Sequence, residues 1–171
     1  MSLDLLAQYG DDALANHFRV IFPEIPGSDH MEELRLRTLS CDIPERTIGT
    51  YEVMKDGKKY EKVSGVEEQS KEFSFTYRCR KDLAIYKAFN IWMQSFSNLE
   101  TGEIAIDEGL LSSWRVPLVV QASVGENVYA EWGFLGWHPK SIAGLSFDET
   151  SGDPLTVQIS GPSMEILFPL V

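Results

Sequence analysis

The sequence predicts a mainly β domain: an antiparallel β-barrel or sandwich with one flanking α-helix and a protruding β-hairpin. Three observations predict it. Apolar residues alternate at period two in several short runs, most clearly Phe73, Phe75, Tyr77 and Cys79 against Glu72, Ser74, Thr76 and Arg78. Turn-forming residues separate those runs, as at Gly125-Glu126-Asn127 and Thr150-Ser151-Gly152-Asp153. One segment alone, about 82–97, switches to helical period, with Ile85, Phe89, Trp92, Met93 and Phe96 on one stripe and Asp82 able to cap its start.

The 171 residues suit one domain, with 1–15 as an N-terminal arm and 16–171 as the β domain. Hydrophobic residues make up 43%, enough to exclude wholesale disorder. No apolar run approaches ~18 residues, so no transmembrane helix is expected. The first residues lack the basic and apolar regions of a secretory signal, so none is expected.

Each element has a local reason. Residues 2–9 form a short helix between Ser2 as N-cap and Gly10 as stop. Asn16–Phe22 is a strand with Phe18, Val20 and Phe22 on one face, ended by Pro23 and a loop through Asp29. Leu34–Cys41 reads as a second strand, closed by Pro44. Residues 46–63 read as a hairpin about Asp56-Gly57, a pair suited to a type I′ turn. Its arms are polar and few apolar residues hold it to a core. An isolated two-stranded ribbon is marginal in water, so it is expected to pack on another subunit. Residues 64–70 read as a polar connector and 98–113 as a loop. Val116–Ala122 is a strand whose Pro117 requires an edge or a strand start. Val128–Trp137 turns Ala130, Trp132 and Phe134 to one side, before His138-Pro139. Ser141–Phe147, Leu155–Ile159 and Met164–Leu170 complete about eight strands beside the one helix.

The formal net charge is −11, unevenly spread. Residues 98–171 hold only Arg115 and Lys140 against ten acids, whereas 46–87 hold ten Lys/Arg against seven acids. Such acidity argues against a protein that grips phosphates with Lys and Arg, though not against a surface that nucleic acid slides past. The unevenness has two readings: a solvated surface of mixed composition, or basic and acidic faces that meet on self-assembly.

Reactive chemistry is sparse. His17, His30 and His138 lie at no metal-ligand spacing from another His or from Cys41 and Cys79. Asp107-Glu108 and Asp148-Glu149 read as turn residues, and no glycine-rich phosphate loop or calcium loop occurs. No cofactor, metal or enzymatic activity is expected. A barrel binding a small apolar ligand would need an inner cavity, and the bulky inward Phe, Trp and Tyr residues fill it.

Four passages, in order, resemble the tail tube proteins of contractile-tailed bacteriophages. They are Asn16–Phe22 after the N-terminal arm, and Leu39–Ile48, a strand followed by Pro44 and the hairpin. Then come Phe73–Tyr77 leading into the helix with Phe89, Trp92 and Met93, and Gly133–Ile142 leading to Leu145-Ser146-Phe147-Asp148. The resemblance implies hexameric rings stacked into a hollow tube inside a contractile sheath, through which genomic DNA passes without specific binding. It implies as partners further copies of the chain, a tail sheath protein and a baseplate initiator, with no membrane contact. It places the protein in the virion, assembled in the host cytoplasm. The tube-initiating baseplate proteins and the inner tubes of related contractile injection systems share the fold and stand as the alternative. On this reading Lys55, Asp56, Gly57, Lys58, Lys59 and Lys62 form an inter-subunit or inter-ring arm, and residues 2–15 are a second candidate arm. Glu126, Glu131, Asp148 and Glu149 are the candidate lumen-facing acids.

Overall fold

The computed structural model describes residues 16–22, 25, 31–96, 115–124, 126–147 and 152–168. Among them run β1 (Phe18–Ile21), α1 (Met31–Arg37), β2 (Thr38–Asp42), β3 (Arg46–Lys55), β4 (Lys58–Gln69) and β5 (Glu72–Arg78). Then follow α2 (Ala84–Phe96), β6 (Val116–Val124), β7 (Asn127–Trp137), β8 (Ser141–Ile142), β9 (Thr156–Pro162) and β10 (Glu165–Leu167). One four-stranded sheet has the order β1-β6-β7-β10, a second β2-β5-β9-β8, and β3 and β4 pair only with each other. All these pairings are antiparallel. Among the described residues no ladder joins the two larger sheets, so these strands form a sandwich and no closed barrel is found.

The core lies between those sheets and under α2. Val20, Leu118, Val120 and Phe134 enter it from the first sheet, and Phe73, Phe75, Tyr77, Val157 and Ile159 from the second. Phe73 meets Phe134 across the gap at 4.6 Å between ring centroids. Phe22 touches Phe75 at 5.4 Å and Trp137 at 5.5 Å, and Trp92 of α2 stands edge-on to Trp137 at 5.8 Å. Full burial of one such side chain stabilises the fold by about 1.5–3 kcal/mol, and tilted ring pairs add to it. The Ala84 amide donates to Asp82 Oδ1 at 3.2 Å, so Asp82 caps α2 as its sequence position suggested.

A bulge fits β7 to this core. Val116 pairs with Trp137 but Leu118 pairs with Phe134, so β7 carries one extra residue there. Gly136 adopts φ 65° within it, a conformation that glycine reaches without a Cβ clash. The bulge turns both Phe134 and Trp137 inward, although strict alternation would place them on opposite faces. The same irregularity accommodates Pro117, which lies at the start of an inner strand and not at an edge.

Several expected boundaries change. Leu34–Arg37 is helical, not strand. Leu34 is fully buried while Leu36 is 77% exposed, which a strand would not allow because residues two apart share a face. The pairs Arg35–Glu32 at 3.0 Å and Arg37–Glu33 at 2.8 Å are the i,i+3 and i,i+4 contacts of a helix surface. Residues 64–69 are not a connector but the end of β4. Ile48 pairs with Glu67 and Thr50 with Val63, so the Ser64-Gly65-Val66 stretch is absorbed as a bulge, and Ser64 Oγ donates to the Gly49 carbonyl at 2.7 Å. Only Ser141–Ile142 of the expected 141–147 strand pairs. Strand β9 continues past Ile159 to Pro162 because Glu72 and Phe73 supply partners. The expected helix at 2–9 and the loop at 98–113 lie outside the described residues.

Candidate assembly interface

The β3–β4 ribbon continues the β2–β5 pair but leaves the sandwich. Asp56 and Gly57 close it with φ 54° and 72°, the left-handed pair of a type I′ turn. Its root is tied down. The Arg46 guanidinium lies 5.2 Å from the centre of the Phe168 ring. Beyond β4, Lys71 Nζ donates to the Met164 carbonyl at 2.7 Å, and the Ser163 amide and hydroxyl donate to the Lys71 carbonyl at 2.8 and 2.9 Å.

The register gives the ribbon two unlike faces. Tyr51 opposes Lys62, Val53 opposes Tyr60 and Lys55 opposes Lys58, so one face combines an apolar centre with three lysines. No carboxylate among the described residues pairs with those lysines. Thr50, Glu52, Met54, Lys59, Glu61 and Val63 occupy the other face, where Lys59 Nζ meets Glu52 Oε2 at 2.8 Å and Thr50 Oγ1 donates to Glu61 Oε1 at 2.6 Å. The four lysines anticipated as one group are therefore divided: Lys55, Lys58 and Lys62 share one face, while Lys59 lies on the other and pairs with Glu52. Periodicity marked the arms as polar. It missed the large apolar residues that the ribbon leaves exposed, Ile48, Tyr51, Met54, Tyr60 and Val63. Pairing residues outward from Asp56-Gly57 would have found the Tyr51–Val53–Tyr60 cluster.

Of the anticipated acids, Glu126 and Glu131 lie among the described residues. Glu131 is on the outer face of β7 and accepts a hydrogen bond from Gln121 Nε2 at 2.8 Å. Glu126 is exposed at the β6–β7 turn. Asp148, Glu149 and the arm 1–15 lie outside the described residues.

Strands β1 and β2 leave an apolar groove of about 430 Å³ between the sheet edges, lined by Phe18, Leu39, Cys41, Ile43, Val120 and Trp132. His17 also lines it, which brings a histidine and a cysteine into one depression. Burial, and then the Asp42 charge, push the Cys41 thiol up to about 11, so it is not a thiolate nucleophile near neutral pH. Burial also raises the Cys79 thiol. No group of His, Cys, Asp and Glu able to hold a metal occurs among the described residues, and no helix there is long and apolar enough to cross a membrane.

Comparison with solved structures finds the same fold in contractile assemblies. A chain of the sheath-tube complex of an extracellular contractile injection system, PVC, in its extended state superposes with a TM-score of 0.63 at 14% identity, over 100% of this chain and 99% of that one. A chain of the tube-terminating cap of the anti-feeding prophage gives 0.63 at 13% identity, over 94% and 93%. A chain of the PVC sheath/tube terminator gives 0.62 at 14% identity, over 94% and 98%. A search of curated proteins by sequence finds no match. The family model described as "phage tail tube protein" matches residues 13–118, a stretch that runs from before β1 through the ribbon and α2 into β6. The chain belongs to the phage tail tube protein family.

Proposed function

We propose that this chain is the repeating subunit of a hollow tail tube, closing into hexameric rings that stack inside a contractile sheath on a baseplate initiator. The tube would serve as the passage for phage DNA and be part of the virion, assembled in the host cytoplasm. The role is structural and calls for no cofactor. The observation that carries the reading is the β3–β4 ribbon. Among the described residues it pairs with no other strand, and it exposes tyrosines and aliphatic residues beside three lysines in a chain of net charge −11. A ribbon of that kind gains stability by docking on a second, acidic copy, where lysines steer the encounter and apolar residues are buried. Head-to-tail contacts of this type close into rings or extend into tubes.

The inner tube of a related contractile injection system is the second reading, favoured by the full-length fold match to a PVC sheath-tube chain. The test is negative-stain electron microscopy of concentrated protein at low salt, where charge pairing across the joint is least screened. Rings or hollow tubes are expected. Dispersed subunits at every concentration, with and without a baseplate initiator, would overturn the tube.

A further inference from the structure

The ribbon leaves the sandwich at two breaks. Ile43-Pro44-Glu45 separates β2 from β3, and Ser70-Lys71 separates β4 from β5. The last pairs on either side are Asp42 with Ser74 and Arg46 with Gln69, so the ladder does not run through. Pro44 has no N–H with which to continue it. Two strands joined to a body through two short breaks swing about them unless their root is pinned.

One segment, residues 163–168, pins both legs. At the second leg the bonding is reciprocal. The Ser163 amide and hydroxyl donate to the Lys71 carbonyl at 2.8 and 2.9 Å, which occupies both lone pairs of that oxygen. Lys71 Nζ returns a bond to the Met164 carbonyl at 2.7 Å. At the first leg the Arg46 guanidinium lies 5.2 Å from the centre of the Phe168 ring. The segment is itself fixed to the other sheet. The Met164 amide donates to the Leu135 carbonyl at 2.9 Å, and Glu165, Ile166 and Leu167 pair with Leu135, Phe134 and Gly133 of β7. Ile166 is buried in the core, and the Met164 side chain lies over Gly136, where a Cβ would come within 2.7 Å of its sulfur. The legs of the ribbon thus run into the second sheet, while their root is held to the first. Arg46 and Lys71 are both exposed, so their contacts place the ribbon and do not close the sandwich.

We propose that residues 163–168 are a clasp that sets the direction of the ribbon, so that each subunit presents an arm already aimed. Docking a pre-aimed arm loses less freedom than docking one that swings. The consequence for assembly rests on the tube reading above; the clasp itself does not.

The test compares wild type with Arg46→Gln/Lys71→Met, which removes both cations of the clasp and leaves Ser163 and Phe168 in place. Residual dipolar couplings of the backbone amides, measured on dispersed subunits at high salt, read the direction of the ribbon against the body. In wild type one alignment should fit ribbon and sandwich together. In the variant the couplings of residues 50–63 should shrink, while those of the sandwich stay as they are. Variant couplings that still fit the wild-type alignment would overturn the clasp, and so would a wild-type ribbon whose couplings are already averaged. Arg46→Lys/Lys71→Arg keeps a cation at each contact and should hold the wild-type couplings; a loss there equal to that of the first variant would overturn the role of these contacts. Should the first variant not fold, Ser163→Ala, which keeps every charge, is read in the same way. Assembly supplies a second readout. An arm rightly aimed for about one-tenth of the time docks about tenfold more weakly, so the concentration at which the variant's tubes appear by light scattering should rise by about that factor. An unchanged threshold would refute the pre-aimed arm. Wild-type protein that forms no tubes, with couplings that behave as expected, would remove the tube reading and leave the clasp.

Discussion

The sandwich interior and the β3–β4 ribbon use similar residues to opposite ends. Phe75, Tyr77, Trp92 and Trp137 are buried against one another, whereas Tyr51 and Tyr60 stand about half exposed, at 50% and 48%. The difference is in what surrounds them. The interior rings belong to two sheets and a helix that close over each other. Among the described residues the ribbon has two strands and no third layer covers either face. Apolar residues in the body account for the fold of one subunit. The same residue types in the ribbon are left uncovered by the other described residues, and burying them is what the proposed joint between subunits would do.

Breaking the body should have the largest effect. Trp92→Ala removes a fully buried ring that touches Phe89 and Trp137, and it should cost ~3–5 kcal/mol in denaturant unfolding. An unchanged unfolding midpoint would mean that α2 is not part of the core. Gly161→Ala comes next. A Cβ at position 161 would overlap the His138 carbonyl oxygen, which is backbone and cannot rotate away, and would crowd the Trp137 ring at 3.1 Å. Trp137 Nε1 also donates to the Gly161 carbonyl at 3.0 Å, so β9 cannot back away without losing a buried hydrogen bond. The expected loss is about 1–3 kcal/mol or slightly more, read in the same unfolding assay. A stability equal to wild type would show that β9 shifts freely at this point.

Much of the body was legible in the sequence, because burial writes itself as periodicity. Phe73, Phe75 and Tyr77 had to share a face, as did Ile85, Phe89 and Trp92, and Asp56-Gly57 specified its own turn. Other features left no period-two or helical signature. Leu34 and Leu36 mimicked a strand, and only the Glu–Arg spacing around them indicated a helix. The inward Trp137 depends on the Gly136 bulge, which breaks alternation by one residue. The Gly161–His138 approach is a long-range backbone contact that no local pattern encodes. At the candidate interface, the turn and the lysines could be read directly. Their division between two faces required the register, and the hold of residues 163–168 on the ribbon root required the fold, which joins residues far apart in the chain.

The ribbon should respond in the opposite way to the body. Tyr51→Ser combined with Tyr60→Ser changes two half-exposed side chains, and subunit stability should move by less than about 0.5 kcal/mol. Tube formation, followed by light scattering and electron microscopy, should nevertheless be lost. Shortening the ribbon across Asp56-Gly57 should act likewise. Normal tubes from either variant would take the ribbon out of the joint. A large loss of subunit stability would erase the contrast with the body.

The smallest effect concerns acid. His138 follows β7, with its ring 5.6 Å from Phe96 of α2. Burial holds its pKa below the ordinary 6.5 and the Arg115 charge acts in the same direction, while the nearby Gly136 backbone opposes them in part. The unfolded chain therefore takes up this proton first as pH falls. The stability due to neutral His138 is complete above about pH 6.5 and is lost as pH drops through the lower, folded value. Between about pH 7 and pH 5, melting temperature should fall less for His138→Gln than for wild type, because one linked proton has been removed. Identical slopes would exclude His138 from the acid response. The ribbon-shortened variant should keep the wild-type slope, since His138 belongs to the body; a flattened slope there would show that the two regions are coupled, and that the ribbon is more than an appendage on an independently stable sandwich.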